Sequence, residues 1–211
     1  MSFVSLCRMS TLAVAVLWLV AAVPARAGLE DGQAFFDLGR WDKAMAELRP
    51  LAEAGDVTAQ FLVAQMLDEG GHGIVEDRAA ALLWYHRAAA RDHVSAQYAL
   101  FLHYSVTPGP ANQRQEKAMA WARRIAEAGP GLQGHDRLQA AVVADSLGTY
   151  HARGLMVPAD PVVAYRWYAV AERLGWADAG RARQGLAGTM TDEQRAAAEA
   201  AAGQWWAAHA P

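Results

Sequence analysis

Trp84, Trp121 and Trp167 recur in matching surroundings, each opening an alanine-rich run with helical spacing. Ala59 to Ala96 spans 37 residues, and so does Trp84 to Trp121. The distance from the leading small residue to the tryptophan is 25 in the first two copies and 24 from Val143 to Trp167 in a third. Two landmarks that shift together define an internal repeat. A repeat constrains the fold more than any composition does, because each unit can hide its apolar face only against its neighbours. The joint between the second and third copies is longer, 46 residues from Trp121 to Trp167, which places about ten extra residues in Gly129 to Gln139 as a loop or an extended helix.

Each copy reads as two helices. In the first, Ala59, Val63, Met66 and Leu67 share one helical face, and Gly70, Gly71 and Gly73 end the run. Asp77 then stands where an N-cap belongs, ahead of Ala79, Ala81, Trp84, Tyr85, Ala88 and Ala89. Asp160-Pro161 repeats that start, with proline in the first turn, where no amide donor is needed. Small residues let neighbouring helices approach, and indoles fill the space left between them, so all three repeated tryptophans are expected in the core. Trp176 and one of Trp205 or Trp206 are expected to be more exposed, since adjacent residues cannot share a helix face.

This pattern resembles the Sel1-like repeat family, a relative of the tetratricopeptide repeats. The resemblance rests on Gly70, Asp77, Ala81, Trp84, Tyr85, Ala88 and Ala89 in one copy, and on Leu147, Gly148, Gly154, Asp160, Ala164, Trp167, Tyr168, Ala171 and Gly175 in another. The middle copy keeps Ala96, Gln97, Tyr98, Tyr104, Ala118, Trp121, Ala126 and Gly129, but has Thr107-Pro108-Gly109-Pro110 for the glycine turn and Ala122 for the tyrosine. Gly39-Arg40-Trp41 and Ala44 resemble a tetratricopeptide hairpin, with Pro50 inside its second helix. Thr191-Asp192-Glu193-Gln194 reads as a capping box opening a closing helix.

The resulting expectation is an all-α chain, a right-handed α-solenoid of Sel1-like helix pairs with capping helices at both ends. Its segments are a helical hairpin over 28–55, repeats over 56–92, 93–129 and 130–178, and capping helices over 179–211. Residues 1–27 are expected to be an export signal that is removed. Thr11 to Val23 is apolar but too short to span a bilayer, and Ala25-Arg26-Ala27 offers small residues at the two positions an export peptidase reads. A periplasmic or secreted location follows, with no stable membrane insertion after cleavage. The single cysteine, Cys7, would leave with the signal, so stability must come from packing and not from disulfides.

The formal net charge of −3 comes from mixed charges without a basic stripe, which argues against nucleic acid as a partner. Neither lysine, Lys43 or Lys117, follows a serine by three residues, and there is no Gly-x-Ser-x-Gly elbow and no His-Glu-x-x-His helix. The seven histidines, His72, His86, His93, His103, His135, His151 and His209, are scattered and read as solvated or capping groups, with neither metal nor cofactor expected.

What the resemblance implies is a non-catalytic protein that binds another protein or peptide of the cell envelope, as a scaffold or adaptor. The concave side lined by the first helices would carry Gln65, Asp68 and Glu69, then Leu102 and His103, then Asp145, Thr149 and Arg153. The competing class is an envelope hydrolase acting on peptidoglycan or a β-lactam, and a third reading is self-association through the final helix.

Overall fold

The computed structural model describes residues 23–106 and 111–211, with side chains from 28–106 and 113–211. Most of the expected export segment and the Thr107-Pro108-Gly109-Pro110 turn therefore lie outside the described residues. The chain divides into two compact units, one ending at Ala81 and one starting at Leu82. Among the described residues all regular elements are helical, apart from one isolated antiparallel bridge between Gly71 and Ile74. None of these helices is long and apolar enough to cross a membrane.

The first unit opens with a hairpin of α1 (Val23–Asp37) and α2 (Trp41–Glu53). The chain turns at Gly39, whose φ of +68° suits a residue without Cβ, and the Arg40 amide donates to the Phe35 carbonyl at 2.8 Å. Trp41 closes the turn by stacking on Phe36, with ring centroids 5.5 Å apart, while its indole N–H donates to the Phe36 carbonyl. α1 crosses α2 closely because Gly32 faces Leu48, where a Cβ would come within 2.6 Å of the leucine side chain. As expected, Pro50 lies inside α2, so one carbonyl of the preceding turn goes without its helical donor.

α3 (Val57–Glu69) starts on Asp56, whose carboxylate accepts from the Ala59 amide at 2.8 Å, and ends at Gly70 with φ +64°. Gln60 is buried on this helix, and its side-chain amide donates to the Ala52 carbonyl at the end of α2. Asp77 then caps α4 (Arg78–Ala89) through the Ala80 amide at 2.9 Å, which is the start that the sequence pattern predicts. α4 begins in the first unit and continues into the second.

The second unit holds α5 (Val94–Val106), α6 (Ala111–Ala128), a 3-10 turn at Gly129–Gly131, α7 (Gly134–Arg153) and α8 (Pro161–Leu174). It closes with α9 (Ala177–Ala187) and α10 (Asp192–His209). The extra residues between the second and third copies form the 3-10 turn and lengthen α7 to 20 residues, resolving the choice between loop and extended helix. Gln97 repeats the part of Gln60: it is buried, and its amide donates to the Ala89 carbonyl at the end of α4. Each of these helix-end carbonyls already accepts from a backbone amide, Gly55 on Ala52 and Asp92 on Ala89, so the glutamine adds a second donor and ties each first helix to the helix before it. The corresponding position in the third copy is Ala144, whose side chain can make no such bond.

Helix pairs α5–α6 and α7–α8 pack through alanines that are fully buried, among them Ala96, Ala118, Ala122, Ala144, Ala164 and Ala171. In the third repeat, a Cβ at Gly148 of α7 would meet the Tyr168 ring of α8 at 2.6 Å, so the ring occupies the space that glycine leaves. At the equivalent positions of the second repeat, five residues after Ala96 and one after Trp121, the sizes are inverted: Phe101 on the first helix, Ala122 on the second, both buried. The aromatic ring has moved to the opposite helix and the volume of the pair is kept, which is the change a close-packed interior tolerates best. The middle copy thus lacks the tyrosine but carries a buried ring on its first helix.

Trp84 and Trp167 are buried, at 8% and 3% exposure, as expected of repeat-core indoles. Trp121 departs from that expectation, because it packs against the core yet stays half-exposed, beside His86 and under the guanidinium of Arg124. All three indoles carry an arginine over one face, Arg87 on Trp84, Arg166 on Trp167 and Arg124 on Trp121, so what sets Trp121 apart is its exposure and the polar neighbour His86. At the C-terminal end, Thr191 and Gln194 form both halves of the capping box. Trp205 docks edge-on to Trp167 at 5.5 Å while Trp206 is half-exposed, the division of the adjacent pair that the sequence implies.

Candidate functional site

The first helices of the second and third repeats, α5 and α7, lie side by side, joined by a hydrogen bond from Ser95 to Gln139. Their alanine faces are committed to α6 and α8, which leaves the opposite faces to solvent. Leu102 is 43% exposed there, large and apolar, with the partly buried His103 next to it against the edge of the Tyr104 ring. On α7, Asp145, Thr149 and Arg153 follow one another at four-residue spacing, so they form a stripe. Arg153 is exposed, while Asp145 and Thr149 are half-buried.

Two members of the stripe are more constrained than sequence reasoning suggests. Thr149 shares a hydrogen bond of 3.2 Å with the Tyr168 hydroxyl, so it braces the ring packed on Gly148. Burial raises the Asp145 carboxyl above its usual value, and the like charge of Asp178 at the start of α9 pushes it in the same direction. Asp145 is therefore a carboxylate held at a cost, and an incoming cation or hydrogen-bond donor would relieve it.

In the first unit, Gln65 and Asp68 are half-buried and Glu69 is exposed at the C-terminal end of α3. These three form their own polar patch.

Sequence reasoning missed a neighbouring cluster in which His86 of α4 hydrogen-bonds the Tyr104 hydroxyl at 3.0 Å. The His86 ring also lies 6.0 Å from Trp121, and the Lys117 ammonium sits over the Tyr104 ring at 5.2 Å. Burial lowers the His86 pKa, and Lys117 and then His103 lower it further. These residues lie 35 positions apart from first to last and share no motif, so only the helix packing brings them together. His93 is a capping histidine, its Nδ1 accepting from the Ala96 amide at the start of α5. Among the described residues, no three His, Cys, Asp or Glu side chains are grouped so as to hold a metal ion.

The arrangement of repeats can now be compared with known proteins. The family model described as Sel1 repeat matches residues 57–93, 94–130 and 145–176, half of the chain. The chain belongs to the Sel1 repeat family. The first two matched segments contain the α3–α4 and α5–α6 units, and the third takes the C-terminal part of α7 together with α8. Among solved structures, a Sel1 repeat protein from Oxalobacter formigenes superposes with a TM-score of 0.53 at 28% identity, over 66% of this chain and 96% of the other. The protective antigen c5321 of uropathogenic Escherichia coli strains, which displays an SLR fold, is similar at 23% identity with a TM-score of 0.45. That match covers 89% of this chain but 46% of the antigen, so the chain spans less than half the length of that relative. Sel1 repeats generally serve as scaffolds for protein–protein interaction, and this Sel1 repeat chain carries three of them.

Proposed function

We propose that this Sel1 repeat protein is a non-catalytic adaptor of the cell envelope, exported on its N-terminal segment and binding a partner protein through the open faces of α5 and α7. The observation that supports this reading is the contact between those helices, one carrying the exposed Leu102 and His103 and the other the Asp145–Thr149–Arg153 stripe. An apolar anchor on a face that also carries groups of both charges suits a protein contact, in which the anchor supplies burial and the polar groups supply register. The uncompensated Asp145 favours a partner that brings a lysine, an arginine or an amide donor to α7. Gln65, Asp68 and Glu69 offer a second, more polar contact in the first unit. The export pattern supports action outside the cytoplasm, and a mature N-terminus near Gly28, read by mass spectrometry of the fractionated protein, checks that part.

The main test places a photo-crosslinking residue at Leu102 or Asp145 in living cells, with Leu83 as the control. Leu83 is 65% exposed on α4, a second helix, so it reports general stickiness of an exposed leucine. A discrete adduct from Leu102 and Asp145 that is absent from Leu83 supports the reading. Adducts of equal yield from all three, or from none, overturn it.

A further inference from the structure

A separate cavity of about 240 Å³ opens between α8 and α10, with Arg183 of α9 in its wall. Its floor is apolar, formed by Val170, Ala169 and Ala202, with the half-exposed Trp206 beside them. One wall is a hydrogen-bonded relay. Arg183 donates through Nε to Glu172 at 2.9 Å and through Nη1 to the Tyr165 hydroxyl at 2.6 Å, and that hydroxyl donates to Glu199 at 3.4 Å. Tyr165 is itself buried against Met190 and Ala198, so the relay is anchored in packed structure.

Two features mark the mouth of this space. Gly203 lines the cavity from within α10, and a Cβ built there meets no atom within 4 Å. A glycine inside a helix costs about 1 kcal/mol against alanine. No close approach of another helix demands it here, as one does at Gly148, and its exposed position leaves the mouth of the cavity clear. The second feature is Arg173, whose guanidinium lies over the Trp206 ring at 4.6 Å and joins none of the ion pairs among the described residues. It is a cation fixed at the rim of an apolar recess, and Arg183 adds the Nη2 group that its two relay bonds leave over.

We infer that this cavity is a binding site for a carboxylate joined to one apolar group of about amino-acid size, the chemistry shared by a free N-acylated amino acid and by the carboxyl end of a peptide. The volume sets the size, since it falls below the roughly 300–1,000 Å³ of pockets that enclose drug-sized ligands. Charge sets the polarity. Glu172 and Tyr165 already engage Arg183, and Arg173 has the counter-charge still to find, in a form that arginine recognises in bidentate fashion. The apolar group would lie on Val170 and Trp206, and Glu199 would accept from the amide N–H that both ligand types carry. This site is distinct from the α5–α7 face, and it goes beyond the adaptor reading.

The test is calorimetric titration of the full chain with N-acetyl-L-leucine and with two versions of a short peptide ending in leucine, one a free acid and the other amidated. Saturable binding of either acid is expected, weakened at least tenfold by Arg173→Gln and by Gly203→Leu. Gly203→Leu obstructs the mouth of the cavity while improving helix propensity, so its melting temperature is expected to hold or rise, and a loss of binding cannot be ascribed to unfolding. Preference for the peptide acid identifies a chain end as the source, and preference for the free acid identifies a small molecule. Saturation by neither acid, equal binding of the amidated peptide, or undiminished binding by Gly203→Leu overturns the assignment. The reaction is read on the isolated protein, so its outcome is independent of the crosslinking result.

Discussion

Trp167→Ala and Trp121→Ala remove the same residue type from the same repeat position, yet the structure predicts different losses. Trp167 is 3% exposed and meets Trp205 edge-on at 5.5 Å. A buried tryptophan hides roughly 150–250 Å², which at about 25 cal/mol per Å² amounts to ~4–6 kcal/mol. Alanine retains part of that through its own Cβ, while the lost edge contact with Trp205 adds about 0.5–1.5 kcal/mol. The expected loss is therefore about 4–5 kcal/mol, at the upper end of the range for such truncations. Trp121 is half-exposed and partly covered by Arg124, whose flexible chain can settle into the space. About half the transfer term and little cavity term remain, so roughly 1–2.5 kcal/mol is expected. Urea unfolding followed by far-UV circular dichroism gives both values, and the melting temperatures should separate by about 4 °C or more, at roughly 2–4 °C per kcal/mol for a chain of this size. Equal losses for the two variants, or less than ~1 kcal/mol for Trp167→Ala, would refute the claim that burial at the helix seam, and not repeat position, sets the worth of each indole.

Three other outcomes are expected. Gly148→Ala should destabilise the chain by up to ~2 kcal/mol, because overpacking against Tyr168 outweighs the gain in helix propensity, and thermal unfolding measures it. Ala122→Tyr should be costly alone and rescued in part by Phe101→Gly, with a coupling of about 0.5–3 kcal/mol in a double-mutant cycle, whereas additive losses would show that the two positions do not share one space. Stability should fall as the pH drops below 6.5. Burial lowers the folded-state pKa of His86, His93 and His151, so the unfolded chain takes up protons first, and the stability present above 6.5 is lost as pH falls through the depressed values. Urea midpoints at neutral and mildly acidic pH measure this, and His93→Asn, which keeps a cap for α5 that does not titrate, should flatten part of the slope.

The repeat pitch, the glycine stops and the aspartate starts were legible in the sequence because each is a local requirement. Asp77, Asp160 and Thr191 satisfy amides within three residues of themselves, so nothing beyond their own turn decides their placement. Burial followed the repeat for Trp84 and Trp167 but not for Trp121. Trp121 has the right period, but its neighbours are Arg124 of its own helix and His86 of α4, and they leave it half-exposed. The recess at Gly203 was hidden for a similar reason. Its residues come from three helices and follow no spacing rule, and a helical glycine attracts notice only when the room beyond it can be measured. Gln60 and Gln97 could have been paired in advance, since they sit 37 residues apart beside Ala59 and Ala96, and a polar side chain repeated on a buried face announces a repeated hydrogen bond to the preceding helix.

The inverted fit of Phe101 with Ala122, against Gly148 with Tyr168, bears on how such a chain can evolve. Were α5 and α7 exchanged, one module would hold two rings in a space for one, and the other a void bounded by glycine and alanine. Two-helix modules can be duplicated or deleted whole, but half-modules cannot be traded between them. Recombination in this chain is thus confined to breakpoints that leave each helix with its own mate.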